Sequence, residues 1–248
     1  MSDTPQQAHL KVLALVAARA GSVGVPGKNV RPLAGRPVIA YTLDAALAAR
    51  RVDRIVVTTD DPKVKAICTW PQYRGRLTLV DRPAALADHA ARIDDAMRHC
   101  CRVLQQTDGY RPDAVVLLYA NVPVRAQGVI DRAIEQLQTG GGDSLQTVAP
   151  VGKFHPYWLH RLDGDRATKY LGNQVYRRQD LPPLYYIDGA VGVVRYDVLL
   201  AGAGGADPHA FWGRDRRALV QEPHQTIDID TVRDFYLAEA ALREKQDG

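Results

Sequence analysis

The stretch "LKVLALVAARAGSVGVPGKN", residues 10–29, passes from an apolar run (10–18) straight into a loop (19–29) that carries three glycines, a proline and the side chains of Arg19, Ser22 and Lys28. A short apolar run bounded by glycine reads as a buried strand. The glycine-rich turn after it would let backbone N–H groups and cationic side chains approach an anion. Two familiar phosphate loops do not fit. Gly21, Gly24 and Gly27 are spaced GxxGxxG rather than GxGxxG, and Gly27 and Lys28 precede Asn29 where a Walker loop carries Ser or Thr for the metal. Spacing alone leaves two readings open: an anion cradle, or a plain strand-to-helix turn.

Working outward, the runs 54–58, 77–80, 114–119, 144–151 and 189–195 also read as buried strands. Helical patterns occupy 37–50, 88–106, 128–138 and 232–244. The first opens on Pro37 and places Val38, Tyr41, Thr42, Ala45 and Ala49 on one face; the third aligns Ile130, Ile134 and Leu137. Strands alternating with helices predict an α/β fold, a mainly parallel twisted sheet with helices on both faces and ligands held beyond the strands' carboxyl ends. Segments 19–29, 59–61 and 121–125 then share one rim. Asp60 and Asp61 read as closing the turn after the second strand, and Asp94 and Asp95 as a solvated helix face.

Residues 152–188 break the rhythm with His155, Tyr157, Trp158, Tyr176, Tyr185 and Tyr186 beside Arg177 and Arg178. Such a segment reads as an inserted arm suited to a subunit contact or a substrate lid, or as an ordinary surface excursion. Residues 202–205 mark a second loop. With no repeats and no clear linker, residues 1–248 read as a single domain with an arm.

The 32 basic and 28 acidic residues leave a net charge of +4 with no basic block or aromatic ladder, which argues against nucleic acid and for a small anionic ligand. No apolar run approaches the roughly twenty residues of a membrane span. Residues 1–9 are polar, lack the regions of a secretory signal and read as a frayed terminus. Three cysteines, two of them adjacent at 100 and 101, form neither CxxC nor a disulfide framework, which points to the cytoplasm. Neither HxH, HExxH nor GxSxG occurs, and Cys68 has no nucleophile context.

The loop 19–29 with the following "LAGRPVIAYTLDAAL" resembles the opening motif ARxGSKGxPxKN of the acylneuraminate cytidylyltransferase (CMP-sialic acid synthetase) family. The likeness continues in order through "DRIVVTTDD" (53–61), "DRPAALADH" (81–89), "RRQDLPPLYYIDGA" (177–190) and "TIDIDTVRDF" (226–235). It implies a divergent member with a Rossmann-like nucleotidyltransferase fold, a homodimer formed through the arm, and Mg²⁺-dependent transfer of CMP from CTP to the anomeric hydroxyl of an acidic 2-keto sugar, releasing pyrophosphate. Carried residue by residue, it implies nucleotide contacts at Arg19, Ser22, Gly24, Lys28, Asn29 and Arg82, and sugar contacts at Arg178 and Gln179.

Asp228 and Asp230, at i and i+2 on an extended segment, would point to one side, as Mg²⁺ accepts from one or two carboxylates. From position alone, Asp230 or Thr231 fits a helix cap equally well; the resemblance favours metal ligation. Arg82 alternatively reads as a surface ion pair and Asp88 as a helix cap. Four departures stand out. Val23 replaces the family's SKG lysine, with Arg125 a substitute by sequence position. Tyr119 stands in place of a nucleotide-contacting glutamine, Asn121 and Val122 replace Thr-Ser, and Asp188 replaces an asparagine beside the sugar. They keep open a nucleotide-binding protein with lost or redirected catalysis, and a transferase using another base or a Kdo-like sugar.

Overall fold

The computed structural model describes residues 10–21 and 24–247; residues 1–9, Ser22, Val23 and Gly248 lie outside the described residues. Seven strands form the main sheet: β1 (Val12–Ala17), β2 (Arg54–Thr59), β3 (Thr78–Asp81), β4 (Ala114–Tyr119), β5 (Ser144–Pro150), β6 (Tyr185–Arg195) and β7 (Arg216–Val220). Their order is β3-β2-β1-β4-β6-β5-β7, and every strand runs parallel except β6, which is antiparallel to both neighbours. The predicted mainly parallel α/β sheet is therefore the observed one. β7, which exposes its arginines at the sheet edge, carried no apolar signal in sequence.

β1 is buried on both faces because consecutive side chains point to opposite layers. Val12, Ala14 and Val16 meet α1 (Val38–Ala48), α2 (Pro62–Cys68) and α5 (Val129–Gly140). Leu13 and Leu15 meet α4 (Ile93–Asp108) and α6 (Tyr196–Ala201) on the other side. A third apolar cluster joins Val25, Leu33, Val38 and Val124 to Ile229 and to Phe235, Ala238 and Leu242 of α7 (Val232–Asp247). Helix α5 buries the face that the sequence assigned it. Helix α1 does so in part: Val38 and Thr42 of its assigned face are fully buried and Tyr41, Ala45 and Ala49 half-buried, but Ile39, Leu43 and Ala46, outside that face, are fully buried as well, because Val38 packs towards α7 while these meet the sheet.

The helix expected over 88–106 begins later, as α4 (Ile93–Asp108), and a single turn, α3 (Ala84–Ala87), precedes it. Between them Asp88 turns the chain by accepting from the Ala90 N–H at 2.8 Å. The reading of Asp94 as a solvated residue is overturned. Asp94 is fully buried, paired with Arg92 at 2.9 Å and with Arg98, because the chain returns over the start of α4 and Arg92 also donates to the carbonyls of Gly205 and Asp207. These ties hold its carboxyl below the usual range against the cost of burial. Asp94→Ala leaves the buried Arg98 guanidinium with only the half-exposed Asp95 as its acidic partner. A loss of about 3 kcal/mol is expected in urea unfolding, against little change for the exposed pair Arg243→Ala.

The expected arm, 152–188, is an excursion after β5 whose last four residues, Tyr185–Asp188, already belong to β6. It contains a short hairpin of His160–Asp163 and Arg166–Lys169 whose strands are exposed throughout. His155 is its buried anchor, accepting from the Tyr157 N–H through Nδ1 and facing the Pro182 carbonyl through Nε2.

Candidate active site

A cavity of about 510 Å³ opens at the carboxyl ends of β1 and β4. Its wall brings together Arg19, Gly24, Lys28 and Asn29 from the loop after β1, Tyr119 and Asn121 from the end of β4, and Asp228 and Asp230 from the approach to α7. A wider depression of about 810 Å³ at the amino ends of the same strands holds none of the predicted residues, and its Arg195 and Asp197 pair with each other.

The loop after β1 is built by its glycines and its neighbours. Ala18 N–H donates to the Thr58 carbonyl and Ala20 N–H to Asp60 Oδ1, so β2 fixes the first bend. Gly27, at φ +64°, turns the chain into a single helical turn over Lys28–Val30. Asn29 is buried there; its Nδ2 donates to the Arg19 carbonyl at 3.1 Å, while its Oδ1 has no partner among the described residues. A buried acceptor left open on a cavity wall is suited to a donor from a ligand or water. Gly24 lies so close to the late loop that a Cβ would stand 2.2 Å from the Asp230 carbonyl oxygen, which excludes any larger residue at this backbone position.

Alternation explains why two aspartates more than 200 residues after β1 face this loop. Ile229 is fully buried in the third cluster and Ile227 packs against it, so Asp228 and Asp230 turn the other way. The backbone is pinned to the end of β4: Ile227 bridges Val124, Ile229 N–H donates to the Asn121 carbonyl, and Asn121 Nδ2 donates to both Asp228 Oδ1 and the Ile229 carbonyl. The capping role that sequence left open falls to Thr231 and Asp234, which bond each other reciprocally at the start of α7. Asp230 is thereby left to Lys28, whose Nζ donates to its Oδ1 and to the Ile229 carbonyl, both at 2.8 Å. The sequence placed Asn121 in the rim segment 121–125 and marked it as a departure, but not as a holder of the late loop; its position two residues beyond β4 was the signal available.

The charges are unevenly compensated. Burial, with Asp230 adding like-charge repulsion, pushes the Asp228 carboxyl up to about 6. Burial likewise raises the Tyr119 phenol, which keeps it a protonated donor at neutral pH. Arg82 is no surface ion pair. It is buried behind Arg19, donates to Thr58, and burial lowers its pKa.

Arg125 is not a free cation. Its guanidinium is buried against Thr42 and the carbonyls of Tyr119, Val122 and Ala190, and burial lowers its pKa to about 9. Asp188 is buried too. It accepts from Thr147, from the Ala190 N–H and from Thr226, which fixes the bulge in β6 and ties it to the late loop. Arg178 and Gln179 are exposed on the arm and do not line the cavity.

The cytidylyltransferase family profile matches residues 13–196, from β1 to the first residue of α6. The chain belongs to the cytidylyltransferase family. This cytidylyltransferase is 27% identical over 243 residues to the CMP-N,N'-diacetyllegionaminic acid synthase of Legionella pneumophila, covering 96% of this chain and 99% of that one. It is 28% identical over 246 residues to the N-acylneuraminate cytidylyltransferase of Streptococcus agalactiae serotype III, where it spans only 56% of the longer protein. A solved CMP:2-keto-3-deoxy-manno-octonic acid synthetase complexed with CTP superposes with a TM-score of 0.68 at 17% identity, covering 95% of this chain and 99% of the other, and shows the shared fold.

The raised Asp228 carboxyl gives a pH signature. With a folded pKa of about 6 against an unfolded value of 3.8, the folded chain holds the proton more tightly, so this group lowers stability as pH rises from about 4 to 6. Asp228→Asn keeps the acceptor for Asn121 without the charge. Its melting temperature is expected about 3–6 °C above wild type at pH 7.5, for a relief of the order of 1–2 kcal/mol. The gain should shrink steadily below pH 6 and approach zero only below about pH 3.8 when both proteins are scanned in parallel.

Proposed function

We propose that this cytidylyltransferase moves CMP from CTP to the anomeric hydroxyl of a sialic-acid-like 2-keto sugar acid. The observation that carries this reading is the meeting, in one cavity, of the cationic loop after β1 and the paired carboxylates before α7. The near full-length match to a CMP-diacetyllegionaminic acid synthase supports the sugar class. In the transfer, the hydroxyl oxygen forms a bond to the α-phosphorus and gives up its proton to solvent, while the bond from that phosphorus to the bridging oxygen breaks, so pyrophosphate leaves with the electron pair. Arg19 and Lys28 offset charge on the phosphates, the open Oδ1 of Asn29 accepts from a ligand donor, and the Tyr119 hydroxyl stands ready to donate.

Mg²⁺ fits the residues present. Among the described residues no cluster of three or more His, Cys, Asp or Glu could hold a metal, but Asp228 and Asp230 supply two hard oxygen donors on one wall. Mg²⁺ takes one or two carboxylates and completes its shell with water and phosphate. Asp228 in particular is a part-buried carboxylate whose ionised form a cation would favour. When bound, the ion would supply charge neutralisation at the phosphates.

A second reading, nucleotide binding with lost or redirected catalysis, is favoured by the engagement of Arg125. That residue cannot replace a lysine missing at position 23. One assay separates the two: CTP, Mg²⁺ and a panel of N-acetylneuraminic, N,N'-diacetyllegionaminic and 2-keto-3-deoxy-manno-octonic acids, followed by pyrophosphate release. Turnover is expected with a nine-carbon acid, falling about a hundredfold or more in Asp230→Asn. CTP binding by calorimetry without turnover on any acid would select the second reading.

We also infer that the arm joins two copies of this chain. Phe154, Leu162 and Tyr176 are 70%, 73% and 91% exposed, and Tyr185, Tyr186 and Ile187 continue the apolar surface into β6. Leu162→Glu with Tyr176→Glu is expected to halve the mass seen by light scattering while leaving the melting temperature near wild type. An unchanged mass would remove the arm's role in assembly.

No helix among the described residues is long and apolar enough to cross a membrane.

A further inference from the structure

The two cations of the loop after β1 are not in equivalent states. Among the described residues the Arg19 side chain makes no hydrogen bond or ion pair, only its backbone carbonyl accepting from Asn29, so its guanidinium stands open on the cavity wall. Lys28 is engaged: its side chain is only 16% exposed, and its ammonium lies on Asp230, which is 70% exposed, and on the Ile229 carbonyl. A lysine assigned to triphosphate is thus spending its charge on a carboxylate assigned to the metal.

We propose that Lys28 latches the metal seat on Asp230 until a polyphosphate draws the ammonium away, so that divalent ion and nucleotide load as a coupled pair. The inference rests on the proposed assignment of Asp228 and Asp230 to the metal and of the β1 loop to the nucleotide. With Lys28 in place, a divalent ion on Asp230 would share one carboxylate with a monovalent cation, and the two repel at close range. If Lys28 left with nothing to receive it, its ammonium would lose two short bonds. A triphosphate resolves both conflicts, because its charge can face the ammonium and the metal together.

The surroundings confine this exchange to the side chain. The Lys28 backbone is held by its N–H to the Val25 carbonyl at 3.1 Å and by the turn closing from Val30 N–H to the Gly27 carbonyl at 3.0 Å. On the other side Asn121 grips Ile229 through both its N–H and its carbonyl, and grips the Asp228 carboxylate as well. Gly24 against the Asp230 carbonyl leaves the late loop no room to follow the lysine. A lysine suits this task better than an arginine, since a compact ammonium on a flexible four-carbon stem can change partners without re-forming a planar fork. By linkage, whatever factor the nucleotide adds to metal affinity, the metal returns to the nucleotide.

Manganese serves as the probe, because MnCl₂ titrated into the full chain reports free ion directly by electron paramagnetic resonance. Without nucleotide, Lys28→Met is expected to bind Mn²⁺ about tenfold or more tightly than wild type. The Lys28→Met, Asp230→Asn double variant should lose that gain. Lys28→Gln, which is neutral yet still able to donate to the Ile229 carbonyl, repeats the comparison should the methionine variant fold poorly; circular dichroism checks each protein. Equal Mn²⁺ affinity in wild type and the neutral variants would overturn the latch without overturning the proposed transfer, which pyrophosphate release by the wild-type chain tests separately. Absence of Mn²⁺ binding in every protein, with CTP or without it, would overturn the latch together with the metal assignment on which it rests.

Discussion

The site depends on one constraint, the docking of the late segment 226–231 across the carboxyl ends of β1 and β4. Burying Ile229, with Ile227 packed beside it, in the apolar cluster shared with α7 leaves the alternating aspartates no direction except the cavity. Hydrogen bonds then convert this apolar preference into a fixed register, since Asn121 meets Ile229 on both backbone atoms. The glycine at position 24 follows from the same docking, because the loop after β1 passes within touching distance of the Asp230 carbonyl. A fold decision made by two isoleucines therefore places the chemistry.

That placement costs stability. Asp228 and Asp230 repel, and the first is held in a part-buried setting that raises its pKa. Of the two cations that offset them, Lys28 and Arg125, the second is itself buried, and burial lowers its pKa. It also ties four chain segments together at one point. Its guanidinium joins the end of β4 at Tyr119, the following turn at Val122, helix α1 at Thr42 and the β6 bulge at Ala190. The same atom set that stiffens the cavity wall thereby supplies a positive field behind it, towards Asp228 and Asp188. Perturbed carboxylates of this kind concentrate where a ligand is to supply the missing charge.

Much of this was legible in the sequence because the relevant signals are local. Strands β1, β2 and β4 are apolar runs ending at a rim, and the loop after β1 declares its glycines and cations in consecutive positions. The alternation in "TIDID" gave the shared direction of Asp228 and Asp230. What escaped depends on chain segments far apart in sequence. Asp94 looks solvated on its own helix and is buried by a segment more than a hundred residues later. Arg125 looks free in its loop, yet its partners come from α1 and β6. Helix α1 misled for a related reason: it is covered by the sheet on one side and by α7 near its start, so no single face carries the periodic signal. The engagement of Lys28 by Asp230 had no local signal at all.

The reversed strand gives the arm its position. β5 runs parallel to β4 and therefore ends at the functional rim, where Pro150 pairs with Tyr185. β6 runs the other way and must start from that same rim, with Gly192 already opposite Leu117 inside the sheet. Any chain inserted between them leaves and returns beside the cavity, so residues 152–188 rise from the cavity edge rather than from the opposite end. Arg178 and Gln179 nevertheless stand outside the lining of the cavity in their own chain. For these side chains to meet a substrate held at Asp228, the arm must fold over the rim, or the rim of another copy must come to the arm. The exposed apolar residues spread along the arm, from Phe154 to Tyr186, favour the second geometry, because an arm closing on its own polar cavity would leave that apolar surface in water.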